Sequence, residues 1–121
     1  MANILIVDDS KTARLMLKHW VKTINGDLAV LEAANAEEAL DLMPRLSPSD
    51  MALIDYNMPG MTGVELAEQL MARVPIGRMT LATANIQDAV RQRAEELGMR
   101  YMAKPMTPVK LNQAIQQMEC G

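Results

Sequence analysis

Asp8 and Asp9 stand side by side directly after the apolar run "ILIV", and Asp55 closes a second such run, "MALI". Like charges in contact repel, and taking them out of water costs more still. Such acids need either water or a positive partner. Thr83 and Lys104 close two further strand-like runs. If the first and third runs are neighbours, three carboxylates converge. A divalent cation resolves that repulsion: Mg²⁺ takes oxygen ligands, keeps several waters, and is commonly held by one or two carboxylates plus a phosphate oxygen. Lys104 supplies a compensating cation, and the Thr83 hydroxyl can donate to a phosphoryl oxygen. These parts suit phosphoryl transfer, where positioning and charge neutralisation supply most of the catalysis. An aspartate can itself accept the phosphoryl group as an acyl phosphate. Asp55, a lone acid between an apolar strand and a Pro-Gly loop, is the better acceptor candidate.

The elements that must position these residues alternate along the chain. Strand-like runs are 3–8, 28–33, 51–55, 78–83 and 100–104. Helical patterns fill 10–24, 35–43, 63–74, 86–98 and 109–118. In the first helix Ala13, Met16, Leu17, Trp20, Val21 and Ile24 share one apolar face, while Lys11, Arg14, Lys18 and Lys22 fall elsewhere as a solvated face, with partner docking beside the site as the alternative for Lys11 and Arg14. Asn35 with Glu38, and Thr62 with Glu65, have capping-box spacing. Gly98 stops the fourth helix, and Thr107 caps the last with Pro108 in its first position. Five strands alternating with five helices predict one α/β domain, a parallel sheet covered by helices on both faces. The near-continuous apolar strands 4–7 and 51–54 fit a sheet buried on both sides. In such sheets ligands bind outside the carboxyl ends of the strands. Asp8, Asp9, Asp55, Thr83 and Lys104 all fall at that edge.

Each residue alone has a bland reading. Asp9 reads as a helix cap, Asp55 as a turn former, Lys104 as surface charge and Thr83 as an ordinary strand residue. Their coincidence at strand carboxyl ends reverses those readings.

The segments "VDDS", "LIDYNMPGMTGVEL", "TLATAN" and "AKP" resemble the motifs of response-regulator receiver domains, the phospho-accepting modules of two-component signalling. The resemblance spans essentially the whole chain, in order. It implies a single CheY-like receiver domain over residues 1–121, with a flavodoxin-like (βα)5 sandwich and a parallel sheet of order 2-1-3-4-5. It implies Asp55 as phosphoacceptor, and Mg²⁺ (or Mn²⁺) held chiefly by Asp9, with Asp8, Asp55 and the backbone carbonyl of Asn57. Thr83 and Lys104 would contact the phosphoryl group. Tyr101 would be the aromatic that changes rotamer with Thr83, and Lys104–Pro105 would be cis. The side chains of Asn57 and Asn85 would tune the lifetime of the phosphorylated state. The surface expected to switch is built from the helix at 86–98, the strand at 100–103 and the helix at 109–118, with Met99, Met102 and Met106 in or beside it.

The implied partners are a histidine kinase or phosphotransfer protein as donor, and an output protein or domain. The chain would be a signalling switch rather than an enzyme, catalysing only its own phosphorylation and dephosphorylation.

Composition narrows the alternatives. The net charge is −3 without a basic tract, which argues against direct binding to nucleic acid or anionic membrane. No apolar run approaches the ~20 residues that span a bilayer. The single cysteine, Cys120, suits a reducing compartment, and a cytoplasmic location is expected. Twelve methionines with no phenylalanine fill the core in the simplest reading, or line a plastic binding surface. His19 reads as solvated and Trp20 as core. A haloacid-dehalogenase-type phosphohydrolase would want a second acid two residues after the nucleophile, where this chain has Asn57. A flavodoxin-like flavin binder would want a neutral phosphate cradle where this chain has Asp-Asp-Ser. A pseudo-receiver that only binds partners would not need the full acid, threonine and lysine set.

Overall fold

The computed structural model describes residues 2–84 and 88–120. The strands are β1 (Asn3–Val7), β2 (Ala29–Ala33), β3 (Met51–Asp55), β4 (Met79–Thr83) and β5 (Arg100–Ala103). The helices are α1 (Lys11–Ile24), α2 (Ala36–Asp41), α3 (Gly63–Leu70), α4 (Asp88–Leu97) and α5 (Pro108–Glu119). All four strand pairs are parallel, in the order β2-β1-β3-β4-β5. This is the doubly wound, flavodoxin-like arrangement expected from the sequence.

Strand alternation divides the core into two layers. Leu5, Val7, Ala52, Ile54, Met79 and Leu81 face one side, where α2, α3 and α4 supply Ala39, Val64, Ala67, Leu70, Val90 and Ala94. Ile4, Ile6, Met51 and Leu53 face the other, against Leu17 and Val21 of α1 and Leu111, Ala114, Ile115 and Met118 of α5. Burial of both faces explains why β1 and β3 read as unbroken apolar runs.

Asn35, Thr62 and Thr107 cap their helices as expected, while the cap of α1 is Ser10 and not Asp9. Ser10, Asn35, Thr62 and Thr107 each accept a hydrogen bond from the backbone N–H three residues on. Thr62 and Glu65 form the complete reciprocal box. At Asn35 the box is displaced: the Glu38 carboxylate accepts from the Ala34 N–H at 2.7 Å rather than from the cap residue. Gly98, with φ +77°, closes α4 in the left-handed conformation that a side chain disfavours.

Several expected boundaries shift. The helix predicted over 35–43 ends at Asp41 and gives way to a 3₁₀ turn at Met43–Arg45, because Pro44 lacks the N–H that an α-helix needs. The helix predicted to residue 74 ends at Leu70, and a 3₁₀ turn over Ile76–Arg78 precedes β4. Met16, placed by periodicity on the buried face of α1, is 47% exposed, and Leu15 is 54% exposed. Trp20 is half-buried against the α1–α5 layer. Met51, Met79, Met99 and Met118 are buried, so these four do fill the core. Met99 therefore lies beneath, not on, the surface formed by α4, β5 and α5. Asn85, and the start of the helix predicted over 86–98, lie outside the described residues.

Candidate functional site

The β2-β1-β3-β4-β5 order makes β1 and β3 neighbours, with Val7 opposite Ile54. The residue after each meets the other at the carboxyl edge. Carboxylate oxygens of Asp8, Asp9 and Asp55 lie within 4.8 Å of one another. Asp8 and Asp55 are buried, while Asp9 is exposed at the rim. Lys104 reaches across from beyond β5. Its Nζ stands 3.1 Å from Asp55 Oδ1 and 3.3 Å from Asp8 Oδ2. The Lys104 backbone N–H donates to the Thr83 carbonyl at 2.8 Å, and the Lys104–Pro105 bond is cis.

Electrostatics mark Asp55 as the stressed member. Burial raises its pKa above the ordinary carboxylate value; Lys104 pulls it down and Asp8 pushes it up. Burial alone would lower the Lys104 ammonium, but Asp55 and Asp8 outweigh it and hold Lys104 above the usual lysine value. Three carboxylates facing one ammonium leave negative charge in excess when all are ionised. An all-oxygen donor set with one rim carboxylate open to water fits a hard, partly hydrated divalent cation such as Mg²⁺ or Mn²⁺.

Asp8 is heavily committed. Its N–H donates to the Ala33 carbonyl at 3.1 Å, its Oδ1 accepts from the Ser10 N–H at 2.9 Å, and its carbonyl accepts from Arg14 Nη1 at 2.6 Å. The Asp55 contacts to Lys104 and to the Asn57 N–H, the latter at 3.3 Å, both fall on Oδ1. Oδ2 lies outside this pair. Asn57 is exposed beside the acids. Asn85, expected to flank the same path, lies outside the described residues.

Thr83 is buried at the end of β4. Leu81 pairs with Tyr101 and Thr83 with Ala103, so Thr83 and Tyr101 share a face of the sheet as diagonal neighbours. Tyr101 packs at the edge of the α2–α4 layer. Its hydroxyl donates to Glu95 Oε1 at 3.0 Å, and this bond to a carboxylate raises the phenol pKa.

Three contributors escaped the sequence reading. Arg14, assigned to a solvated face, is only 14% exposed and bridges the Asp8 carbonyl and Glu32. Its place one turn after the Ser10 cap was the available signal. Gly63 sits where a Cβ would come within 2.6 Å of the Asp55 carbonyl and 2.7 Å of Leu81 Cδ1. Its hydrogen lets α3 start directly against the end of β3. Glu95 holds the Tyr101 hydroxyl, a contact that no spacing in the sequence announces.

A parallel sheet of this order, carrying acids and a lysine at its carboxyl edge, defines the CheY-like class of α/β domains. The family model for the response regulator receiver domain matches residues 4–116. The chain belongs to that family, the receiver domains of two-component response regulators. It is 37% identical over 113 residues to the cyclic di-GMP phosphodiesterase response regulator RpfG of Xanthomonas campestris, covering 90% of this chain but 29% of RpfG. It is 30% identical to a chemotaxis protein CheY homologue of Campylobacter jejuni, covering 95% and 90% of the two chains. The solved chemotaxis protein CheY4 of Vibrio cholerae superposes with a TM-score of 0.85 at 26% identity, over 98% of both chains. Among the described residues no helix is long and apolar enough to cross a membrane.

Proposed function

We propose that this chain is a single receiver domain that takes a phosphoryl group on Asp55, in the presence of Mg²⁺ or Mn²⁺, from a histidine kinase or phosphotransfer protein. The observation that carries this reading is the Asp8–Asp9–Asp55 cluster with Lys104 bridging two of its members. Asp9, Asp8, Asp55 and the Asn57 carbonyl would hold the ion. When bound, Mg²⁺ supplies neutralisation of the charge that gathers on the phosphoryl oxygens. The Asp55 carboxylate attacks phosphorus, an acyl phosphate bond forms, and the phosphorus–nitrogen bond to the donor imidazole breaks. Lys104, already drawn to Asp55, neutralises the incoming charge. Thr83 donates its hydroxyl to a phosphoryl oxygen, and the adjoining Tyr101 leaves Glu95 to fill the space vacated. Asn57 would flank the water that later hydrolyses the acyl phosphate, and Asn85 is the second residue expected to tune that step. The surface of α4, β5 and α5 then changes for an output partner. In this reading the chain is a cytoplasmic switch that acts on itself, without turnover of other substrates and without direct binding to nucleic acid or membrane.

The test is incubation with acetyl phosphate and Mg²⁺ followed by intact-mass measurement. Wild type gains one phosphoryl mass only when Mg²⁺ is present, and Asp55→Asn gains none. An equal gain in the variant, or release of more than one phosphate per chain from simple phosphate esters, rejects the reading.

A further inference from the structure

The acids at the sheet edge are not equally anchored. Asp8 is held at its N–H by Ala33, at its Oδ1 by Ser10, at its Oδ2 by Lys104 and at its carbonyl by Arg14. Among the described residues nothing hydrogen-bonds the Asp9 carboxylate, which stands exposed at the rim. The Asp8 carbonyl belongs to the peptide plane that leads into Asp9. That plane is rigid, so a group gripping the carbonyl sets where the Asp9 Cα and side chain begin.

Arg14 is built for such a grip. It rises from the first turn of α1, with Nη1 2.6 Å from the Asp8 carbonyl and Nε 3.3 Å from Glu32 Oε1 on β2. Glu32 is also 3.6 Å from Lys18 Nζ. The guanidinium thus ties the β1–α1 connection to β2, and its planar fork can serve both partners at once. Glu32 offsets its charge, which would otherwise disfavour a cation at the neighbouring acids.

We propose that Arg14 is a positioning residue for the metal-binding acids, acting on Asp9 through the Asp8–Asp9 peptide. This rests on the Mg²⁺ site of the proposed function. Charge and position predict opposite signs. By charge alone, removing a cation beside a Mg²⁺ site tightens binding. By position, it releases the peptide and weakens binding, on the order of tenfold for supporting contacts of this kind.

The experiment is calorimetric Mg²⁺ titration of wild type, Arg14→Gln, Arg14→Lys and Lys18→Gln, with thermal unfolding of each and amide hydrogen exchange at Asp9 and Ser10 without metal. Arg14→Gln is expected to weaken Mg²⁺ roughly tenfold and to speed exchange at Asp9 and Ser10. Lys18→Gln, which removes a charge from the same Glu32 without touching Asp8, keeps wild-type affinity or binds slightly tighter. Unchanged or tighter binding by Arg14→Gln overturns the inference. If that variant does not fold, Arg14→Lys decides, since it keeps the charge and loses the fork: weakened binding supports the inference and wild-type affinity overturns it. A wild type that binds no Mg²⁺ overturns the metal site itself, and the inference with it, which is a distinct result.

Discussion

Asp50 lies immediately before β3 and Asp55 closes it, and the two are 1% and 5% exposed. At the first end, Asp50 accepts from the Asn3 N–H at 2.7 Å and the Ser47 N–H at 2.8 Å, with the Asn3 side chain at 3.4 Å. Arg78 adds bonds to the Asp50, Ser49 and Glu119 carbonyls. At the other end, Asp55 has a backbone N–H at 3.3 Å, one lysine, and another buried acid within reach. Its pKa is raised by burial, and Lys104 only partly corrects this. One strand therefore carries a carboxylate whose surroundings complete it and a carboxylate whose surroundings leave it wanting a cation. The first kind pins the chain. The second stores unfavourable electrostatics that binding can relieve, which is the usual condition of a reactive site.

The same substitution at both ends gives the largest contrast. Asp50→Asn turns an amide N–H₂ toward one of two backbone donors. It should cost about 3 kcal/mol by urea unfolding, from a lost charged hydrogen bond and an unsatisfied buried donor. Asp55→Asn should raise stability at neutral pH without metal, while abolishing Mg²⁺-dependent labelling by acetyl phosphate. Equal destabilisation at both ends would erase the distinction.

Lys104→Met leaves Asp8 and Asp55 buried without their cation. A loss of about 1–3 kcal/mol at neutral pH is expected, and added Mg²⁺ should restore part of it in the same unfolding assay. No recovery with Mg²⁺ would mean that the acids are not what the lysine compensates.

The pH response should separate the ends further. A carboxylate whose folded pKa is raised favours folding when protonated. Its contribution is fully present below the unfolded value and is lost as pH rises through the folded one. The stability gap between wild type and Asp55→Asn should therefore narrow as pH falls from neutral into the carboxylate range. Mg²⁺ affinity should fall over the same window, because protons compete for Asp55. Calorimetric titrations across that range check both.

The smallest effect is expected between the two ends. Thr80 on β4 pairs with Leu53 and is fully buried, and its hydroxyl has no hydrogen-bond partner among the described residues. Thr80→Val keeps the shape and removes the orphan, so it should add about 1 kcal/mol to stability without altering labelling.

Much of this was legible one residue at a time. The alternation of apolar runs and helical periods determined the element order, since both periods are local properties of a chain. Asn35, Thr62 and Thr107 marked helix starts for the same reason, as caps act within three residues. The spacing of Asp8, Asp9, Asp55, Thr83 and Lys104, with the resemblance it carries, named the site candidates and the family. What the sequence could not decide was how charge is shared among groups far apart in the chain. Asp50 has a local partner in Ser47, three residues before it, but the contact that ties it to β1 waits on Asn3, 47 residues away in the chain. Arg14 and Met16 exchanged their expected environments, because helical spacing tells which residues share a face but not what that face meets. Only the tertiary structure brought Lys104 to Asp8 and Asp55, Arg14 to the Asp8 carbonyl, and Gly63 against the end of β3. Local pattern acts through steric and hydrogen-bonding rules of a few residues' range. The electrostatic division between a completed carboxylate and a partly compensated one exists only once distant strands are parallel neighbours.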